Sequence, residues 1–317
     1  MLNPNRSATL LAVSGGADSI ALALAMWSHG LPIAIAHIVH DMRDRSQTAA
    51  DRDFVESFAR ERAIPFHCLE INARERGGNL EAASRTLRYR ALVDIAAHNG
   101  LRFVATAHHA RDQAETSLMR LLRGAGTRGI GAMPRKRSLS RTHGIALIRP
   151  ALDLHPDQLL AINREAGIEW RDDPTNRDTT LLRARVRHEL LPLLEQISPG
   201  AIARICSAAE RCREDSGAIR ALAMALESSG TREGDAIMFP REYLRAQPPA
   251  AIGELLRSLA MRIDSATRDH LGARVITPAV RAIRDRKQHE RVFSIGKLEC
   301  HLNASRILMR PVPDSTP

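Results

Sequence analysis

The chain has 317 residues, of which 44% are hydrophobic and 26% are charged, and its formal net charge is +10 at pH 7. Such a chain is long enough for two domains with ample cores, and its composition is that of an ordinary globular protein. No apolar stretch approaches the roughly 20 residues of a membrane span, and no signal-peptide pattern opens the sequence. The four cysteines are scattered without a Cys-x-x-Cys pair, which excludes a typical zinc site. We therefore expect a cytoplasmic protein with free thiols and no membrane partner; no protein partner is evident.

The charge excess is almost wholly arginine, because Lys136, Lys287 and Lys297 are the only lysines. Arginine clamps phosphates bidentately, so a nucleic acid is the expected polyanionic partner, although a compositional bias of the genome would produce the same excess. Aromatic residues make up only 3% of the chain, which argues against a broad base-stacking platform.

The first part of the chain alternates strand and helix. Hydrophobic periodicity and end signals predict strands at 8–13, 33–39, 66–71 and 102–107, and helices at 17–29, 48–63, 79–97 (with Asn79 as N-cap) and 112–123. Strands separated by helices of this length indicate a parallel sheet covered on both faces. We therefore predict an α/β fold with a doubly wound, mainly parallel sheet.

The character of the sequence changes after Gly131. Residues 135–141 are basic and are predicted as an exposed loop, residues 172–176 as a turn, and helices are predicted at 157–166 and 179–194, the latter ended or kinked by Pro192. Ser198-Pro199-Gly200 suggests a boundary, so we divide the chain into domains 1–195 and 196–317. The second, smaller domain is predicted to be mostly helical, with helices at 201–226, 249–263 and 280–286 and a terminal hairpin within 291–310.

The turn after the first strand is the most informative motif. Residues 14–19 read Ser-Gly-Gly-Ala-Asp-Ser between an apolar strand and a helix, which predicts backbone N–H groups directed at an anion. No lysine precedes Lys136, so a Walker P-loop is excluded. We predict a nucleotide site formed by Ser14, Gly15, Gly16, Ala17, Asp18 and Ser19, with Asp18 as a possible Mg²⁺ ligand. Further polar residues follow other strands, at 37–41 and 108–112, where parallel sheets bind ligands.

The loop in this strand–helix context resembles the PP-loop of the ATP-pyrophosphatase superfamily. Further blocks resemble one branch of it, the tRNA(Ile)-lysidine synthetases; they lie at 37–43, 79–85 with Arg88 and Tyr89, 106–116, 122–130, 149–150, 173–176 and 183–192. The resemblance runs in order from Ala8 to Leu193. Two positions depart from the family pattern: Arg111 replaces an acidic residue, and Asp41-Met42 replaces Gly-Leu.

The resemblance implies an enzyme that uses ATP and Mg²⁺ to modify the wobble cytidine of an isoleucine tRNA with a CAU anticodon. The C2 oxygen of the cytidine attacks the α-phosphate, pyrophosphate leaves, and the ε-amine of free lysine then displaces AMP. Asp18, Asp112 and Arg88 are the implied catalytic residues. Residues implied in binding lysine or tRNA are Arg85, Arg88, His108, Asp112, Glu115, Arg123 and Arg128.

Several of these roles have alternatives. Asp112 and Glu115 lie three apart on one predicted helix face, where they could cradle an ammonium or complement the helix dipole. Either Arg88 or Arg85 could bind the lysine carboxylate. The base that deprotonates the lysine amine could be Asp18, His108 or a phosphate oxygen. His37, His108 and His109 suit hydrogen bonding better than metal ligation. Candidate tRNA contacts also include Arg183, Arg185 and Arg187.

Two other functions are weighed against this one. A 2-thiocytidine-type tRNA thiolase of the same superfamily would use reactive or cluster-binding cysteines, whereas only Cys68 is near the predicted site. A non-catalytic, nucleotide-sensing RNA-binding protein would keep the glycines and the charge but would have no need for Asp18, Asp112 and Glu115 together.

Overall fold

The structure, a computed structural model, describes residues 8–41, 45–72, 80–171, 182–264, 271–286 and 290–312. It divides into two compact units, Met1–Glu210 and Arg211–Pro317, and the division falls within the helix Ala201–Ser229. The predicted cap at Asn79 and the predicted turn at 172–176 lie outside the described residues.

A six-stranded, mainly parallel sheet forms the centre of the first unit. Its strands are β1 (Thr9–Ala12), β2 (Ile33–His40), β3 (Phe66–Ile71), β4 (Phe103–Ala105), β5 (Lys136–Ser140) and β6 (Ile145–Ile148). They lie in the order β3-β2-β1-β4-β6-β5, and only β5 runs antiparallel to its neighbour. The order reverses direction at β1, so the crevice beyond the carboxyl ends of β1 and β4 is the position where such sheets bind ligands.

Helices cover both faces of this sheet, as predicted. They are α1 (Ala17–Ser28), α2 (Arg45–Glu61), α3 (Leu80–His98), α4 (Ala110–Leu122), α5 (Thr127–Ile130), α6 (Pro156–Glu165), α7 (Leu182–Arg185) and α8 (Leu191–Ile197). Successive strand residues point to opposite faces. Leu11 and Ile35 therefore pack with α1, α2 and α6, whereas Leu10 and Ala34 pack with α3.

Two local features differ from the sequence-based expectation. Residues 136–140, predicted as an exposed loop, form the edge strand β5, which pairs with the buried strand β6. The predicted helix that ends at 194 extends to Ile197 and contains a π-helical turn at Val186–Leu190 before Pro192. Proline has no N–H to donate, and a wider turn just before it adjusts the hydrogen-bond pattern so that the helix continues.

The second unit contains more strand than predicted. It combines the end of α9 (Ala201–Ser229) with α10 (Arg241–Arg245), α11 (Pro249–Ile263) and α12 (Ala273–Arg284). Its five-stranded antiparallel sheet has the order β7-β8-β11-β10-β9, from β7 (Thr231–Glu233), β8 (Ala236–Pro240), β9 (Arg291–Ile295), β10 (Leu298–Leu302) and β11 (Arg306–Pro311). The predicted terminal hairpin is thus part of a sheet, and its inner face packs against α11 and α12 around Phe239 and Leu255. None of the described helices has the length and apolarity to cross a membrane.

Candidate active site

The turn between β1 and α1 is shaped to receive an anion. Gly15 has φ +93°, a conformation that side-chain-bearing residues rarely adopt, and Gly16 is the N-cap of α1 without a side-chain cap. The Ser19 hydroxyl donates to the Gly16 carbonyl at 2.9 Å and accepts from the Ser14 N–H at 3.2 Å, which fixes the turn from within. The exposed Ser14 hydroxyl accepts from the Gly16 N–H at 3.4 Å, and α1 begins without a side-chain cap, so its first N–H groups are of the kind that bind oxyanions.

Contacts from later parts of the chain support this turn. The Arg171 N–H donates to the Gly15 carbonyl at 3.0 Å, and the Arg171 guanidinium pairs with Asp51 of α2 at 3.0 Å. On the other side, the fully buried Asn163 of α6 donates its amide to the Ala17 carbonyl at 2.9 Å. The turn is therefore held in position before any ligand arrives, which lowers the cost of ordering it on binding.

His109 connects the turn to α4. Its Nε2 lies 3.4 Å from Oδ2 of Asp18 and 3.6 Å from Oδ2 of Asp112, and its ring is buried. The backbone N–H of His109 also donates to Asp112 Oδ2, at 3.1 Å, at the start of α4. Burial disfavours the protonated ring, but the hydrogen bond to Asp18 and the charges of Asp112 and Asp18 outweigh it and raise the pKa of His109. The His109 imidazole thus lies between two carboxylates, one from each of two adjacent strand ends, and these carboxylates favour its protonated form.

Asp112 and Glu115 face the same way on α4, and their partners are two arginines of the chain. The guanidinium of Arg183 donates to Glu115 Oε2 at 2.8 Å and to Asp112 Oδ1 at 2.9 Å. The guanidinium of Arg187 donates to Glu115 Oε1 at 2.5 Å and to Asp112 Oδ1 at 3.1 Å. Glu115 is fully buried, whereas the Asp112 side chain remains 12% exposed. We call Asp112, Glu115, Arg183 and Arg187 the carboxylate–arginine clamp.

The electrostatics of the clamp favour the ionised form of Asp112. Burial raises the pKa of Asp112, but its interactions with His109, Arg183 and Arg187 outweigh this effect, so the net shift of the pKa is downwards. The pKa of Arg187 is raised despite its burial, because it is hydrogen-bonded to Glu115 and lies near the charges of Glu115 and Asp112. Each carboxylate of the clamp is thus hydrogen-bonded by both guanidiniums.

His108 is the neutral counterpart of its neighbour His109. Its Nδ1 is 2.8 Å from the Thr106 hydroxyl, and desolvation is the main reason why the pKa of His108 falls to about 4. The positive charges of Arg149, Arg85 and Arg183 add to this effect. Of the adjacent histidines, one is therefore a neutral hydrogen-bonding group at physiological pH and the other is favoured as a cation.

The other arginines predicted to bind lysine or tRNA are exposed, and they are not among the residues described above at the turn and the clamp. Arg85 and Arg88 are exposed on α3, and Arg85 contacts Tyr89. Arg123 and Arg128 are exposed on either side of the loop between α4 and α5. Arg185, proposed with its neighbours as a tRNA contact, pairs with Glu189 at the surface.

Sequence reasoning did not identify the contacts of His109, Arg183 and Arg187. The spacing offered a partial signal, because Arg183 and Arg187 lie four apart on one helix and Asp112 and Glu115 lie three apart on another, so each pair shares a face. What the sequence does not contain is the register between two helices some 70 positions apart along the chain.

The residues at the turn suit a nucleotide with its Mg²⁺ better than a metal held by protein alone. Among the described residues, no group of three or more His, Cys, Asp or Glu side chains converges on one point. Asp18, which is 42% exposed beside the glycine turn, supplies one carboxylate. Mg²⁺ is commonly bound by one or two carboxylates together with substrate phosphates, and this donor set fits that arrangement.

Comparisons with known proteins agree with this geometry. Residues 1–194 match the PP-loop domain family. The chain is 35% identical over 304 residues to a tRNA(Ile)-lysidine synthase of Bradyrhizobium diazoefficiens, a match that covers 94% of this chain and 78% of the relative. It is 38% identical over 249 residues to a tRNA(Ile)-lysidine synthase of Geobacter sulfurreducens, covering 75% of this chain and 51% of that protein.

Among solved structures, the U34-tRNA thiolase NcsA of Methanococcus maripaludis superposes with a TM-score of 0.55 at 17% identity, covering 66% of this chain and 72% of that chain. This likeness concerns the fold alone. The chain spans about half the length of the Geobacter relative. The extent of the domain match and the long alignment to the Bradyrhizobium protein are decisive: the chain belongs to the PP-loop family, in its tRNA(Ile)-lysidine synthase branch.

Proposed function

We propose that this chain is a tRNA(Ile)-lysidine synthetase that acts on the wobble cytidine of an isoleucine tRNA with a CAU anticodon. The observation that carries the proposal is the Asp18–His109–Asp112 series, whose separations of 3.4 and 3.6 Å connect the nucleotide turn with the acidic face of α4. A reaction in two steps, first on ATP and then with a basic amino acid, needs these two places side by side.

In the proposed first step, the turn binds the phosphates of ATP through the N–H groups of α1 and the hydroxyl of Ser14, while the Ser19 hydroxyl holds the turn in shape. The cytidine O2 forms a bond to the α-phosphorus while the bond to the leaving pyrophosphate breaks. Negative charge moves onto phosphate oxygens that already face oriented donors, so little reorganisation is needed. Mg²⁺, held by Asp18 together with the phosphates, would neutralise part of the charge on pyrophosphate.

In the proposed second step, the ε-amine of free lysine forms a bond to C2 of the cytidine, and AMP leaves with the former O2. Asp112 is the acid that we propose to bind the ammonium before it loses its proton, because its carboxylate stays partly exposed. For Glu115 we propose a positioning role, because it is fully buried and hydrogen-bonded by two guanidiniums. Arg88 stays a candidate for the lysine carboxylate, and Arg123 and Arg128 stay candidate tRNA contacts.

The test is pyrophosphate release by the purified chain in the presence of ATP, Mg²⁺, lysine and a tRNA(Ile) transcript with a CAU anticodon. We expect release coupled one-to-one to incorporation of labelled lysine into RNA, and none with a transcript that carries uridine at the wobble position. Pyrophosphate release that requires a sulfur donor in place of lysine would support a thiolase. ATP and RNA binding without pyrophosphate release would support a non-catalytic RNA-binding protein.

A further inference from the structure

Three arginines of the first unit surround one tyrosine beside the proposed active site. The guanidinium carbons of Arg85 and Arg137 lie 5.2 and 5.0 Å from the centre of the Tyr89 ring. Arg85 also donates to the Tyr89 hydroxyl at 3.4 Å, and Arg149 lies near Tyr89 as well. We call Arg85, Tyr89, Arg137 and Arg149 the Tyr89 cluster.

The positive charge of the cluster has no acidic partner in the described part of the chain. The ion pairs found there involve other arginines, such as Arg135 with Asp153 and Arg183 with Asp112. Arg149 is only 3% exposed, and its Nη1 donates to the Pro134 carbonyl at 2.6 Å. Its buried Nε has no hydrogen-bond partner among the described residues. An unsatisfied donor in a buried cation is costly, which is accepted in binding sites when a ligand supplies the acceptor.

The charge of Arg149 is destabilised by its surroundings. Burial lowers the pKa of Arg149, and the nearby charges of Arg137 and Arg85 lower it further. A chain that places three like charges around one ring gains stability when an oxyanion binds between them. The cluster is therefore an anion site with more positive charge than a single carboxylate needs.

The Tyr89 cluster lies near the proposed active site. Arg149 directly follows β6, and β6 pairs in parallel with β4, which precedes His108. Burial is the main cause of the lowered pKa of His108, and the nearby charges of Arg149 and Arg85 add to it. The anion site thus borders the active site at the same edge of the sheet.

An open groove leads away from the cluster along α3. It has a volume of about 420 Å³ and lies between α3 and the end of the edge strand β5, with Tyr89 as a shared wall. Its lining is polar as well as apolar and includes Arg90 and Thr86 on α3 and Ser140 and His143 on the opposite side, with one carboxylate, Asp94, further along α3. A chain-like anion with hydrogen-bonding groups fits this shape, whereas a free amino acid would leave the groove unused.

We propose that the Tyr89 cluster binds a backbone phosphate of the substrate RNA next to the reacting nucleotide, and that the groove between α3 and β5 holds the adjoining strand. This inference rests on the proposed function and describes how the protein would hold its RNA substrate. The bound phosphate accepts hydrogen bonds from the arginines, and Tyr89 keeps two of the guanidiniums in place through its ring.

The test measures the salt dependence of RNA binding by fluorescence anisotropy, without lysine or ATP, for the wild type and for Arg137→Gln. Each lost phosphate contact lowers the slope of log affinity against log salt by about 0.7 to 0.9. Between 50 and 200 mM salt, the wild type should therefore lose about threefold more affinity than the variant. Arg137→Lys should restore most of the slope, and the KM values for lysine and ATP should not change in either variant.

The matched control is Arg164→Gln on α6, an exposed arginine on a helix that packs against the opposite face of the sheet. It should retain the slope of the wild type. An unchanged slope in Arg137→Gln, with circular dichroism identical to the wild type, would overturn the proposal. So would a raised KM for lysine with unaltered RNA binding, because the cluster would then bind the amino-acid carboxylate. These outcomes are independent of the proposed function, which fails instead if the wild type releases no lysine-dependent pyrophosphate.

Discussion

At the scale of single residues, the two glycines of the nucleotide turn have different tasks. Gly15 has φ +93°, so an alanine there would be strained by about 1–3 kcal/mol. Gly16 has φ −71°, and a Cβ added to it would lie 3.5 Å from the nearest side-chain atom, the Ser14 hydroxyl oxygen, which is an ordinary contact.

We therefore predict that Gly16→Ala retains the stability of the wild type to within about 0.5 kcal/mol but loses ATP turnover, because the methyl group enters the proposed phosphate site. Urea unfolding and pyrophosphate release measure the two effects separately. Gly15→Ala should lose stability as well as activity. Normal ATP turnover in Gly16→Ala would contradict the assignment of this turn.

His109 is the residue whose role the sequence revealed least. Because it lies between Asp18 and Asp112, its replacement should misplace both carboxylates. We predict that His109→Gln lowers kcat/KM about a hundredfold, the cost typical of a misplacement near 1 Å. His98→Gln, at an exposed position at the end of α3, is the control and should retain full activity. An equal effect of both changes would remove His109 from the site.

At the scale of elements, the clamp joins α4 to the helix that contains the π-helical turn. Truncating Glu115 leaves Asp112 as the one carboxylate that the two partly buried guanidiniums share. The loss of one partner of a buried ion pair typically costs about 3 kcal/mol or more. We predict this loss for Glu115→Ala in urea unfolding. Glu189→Ala, which breaks the exposed pair with Arg185, should cost less than about 1 kcal/mol. Similar values for the two variants would show that the clamp contributes no more than a surface pair.

In the second unit, α9 and α11 are joined by a bidentate pair. Arg262 donates to the two oxygens of Glu227 at 2.6 and 2.7 Å, and this hydrogen bonding is the main cause that lowers the pKa of Glu227. A lowered carboxyl pKa stabilises the fold above the pKa of the unfolded state, and the contribution is lost as the pH falls through the folded value.

We therefore predict that Arg262→Met lowers the free energy of unfolding at pH 7 by at most about 1 kcal/mol, since Arg262 is largely exposed. The difference from the wild type should shrink as the pH is lowered through the acidic range. A difference that is independent of pH would mean that packing of the arginine stem, rather than the ion pair, is responsible.

The sequence predicts elements well where a single physical signal dominates. The strand Phe66–Ile71 and the helix Pro249–Ile263 have the predicted bounds, since apolar periodicity and flanking breakers mark both. The strand Lys136–Ser140 was missed because an edge strand rich in Lys, Arg and Ser lacks an apolar run, and its pairing with β6 is a long-range contact. The edge strand β7 was missed for the same reason, whereas β8 is apolar but only five residues long.

The candidate site shows the same limit. Ser14–Ser19 could be identified because all the chemistry of an anion-binding turn lies in six consecutive residues. The Tyr89 cluster and the clamp could not, because each gathers residues from distant elements. Asp112 and Glu115 were correctly placed on one face, but the arginines that bind them depend on tertiary packing.

At the scale of the whole molecule, the two compact units have separate hydrophobic cores. A nonhydrolysable ATP analogue should therefore protect the first unit selectively. At 100 times its Kd, a ligand stabilises the state that binds it by about 2.7 kcal/mol. We predict slower hydrogen exchange in β1 and β4 on addition of the analogue, with β8 and β11 unchanged as the internal control. Protection confined to the second unit would place the nucleotide elsewhere.

The central claim is that the β1–α1 turn presents the α-phosphorus of ATP to an oxygen of the RNA. The most direct measurement incubates the chain with tRNA(Ile) and ATP labelled either at the α- or at the γ-phosphate, in the absence of lysine, and follows the label on the RNA. We predict that the α-label alone becomes attached to the RNA and that added lysine releases it as AMP. Transfer of the γ-label, or α-label that appears on lysine before the RNA, would contradict the account.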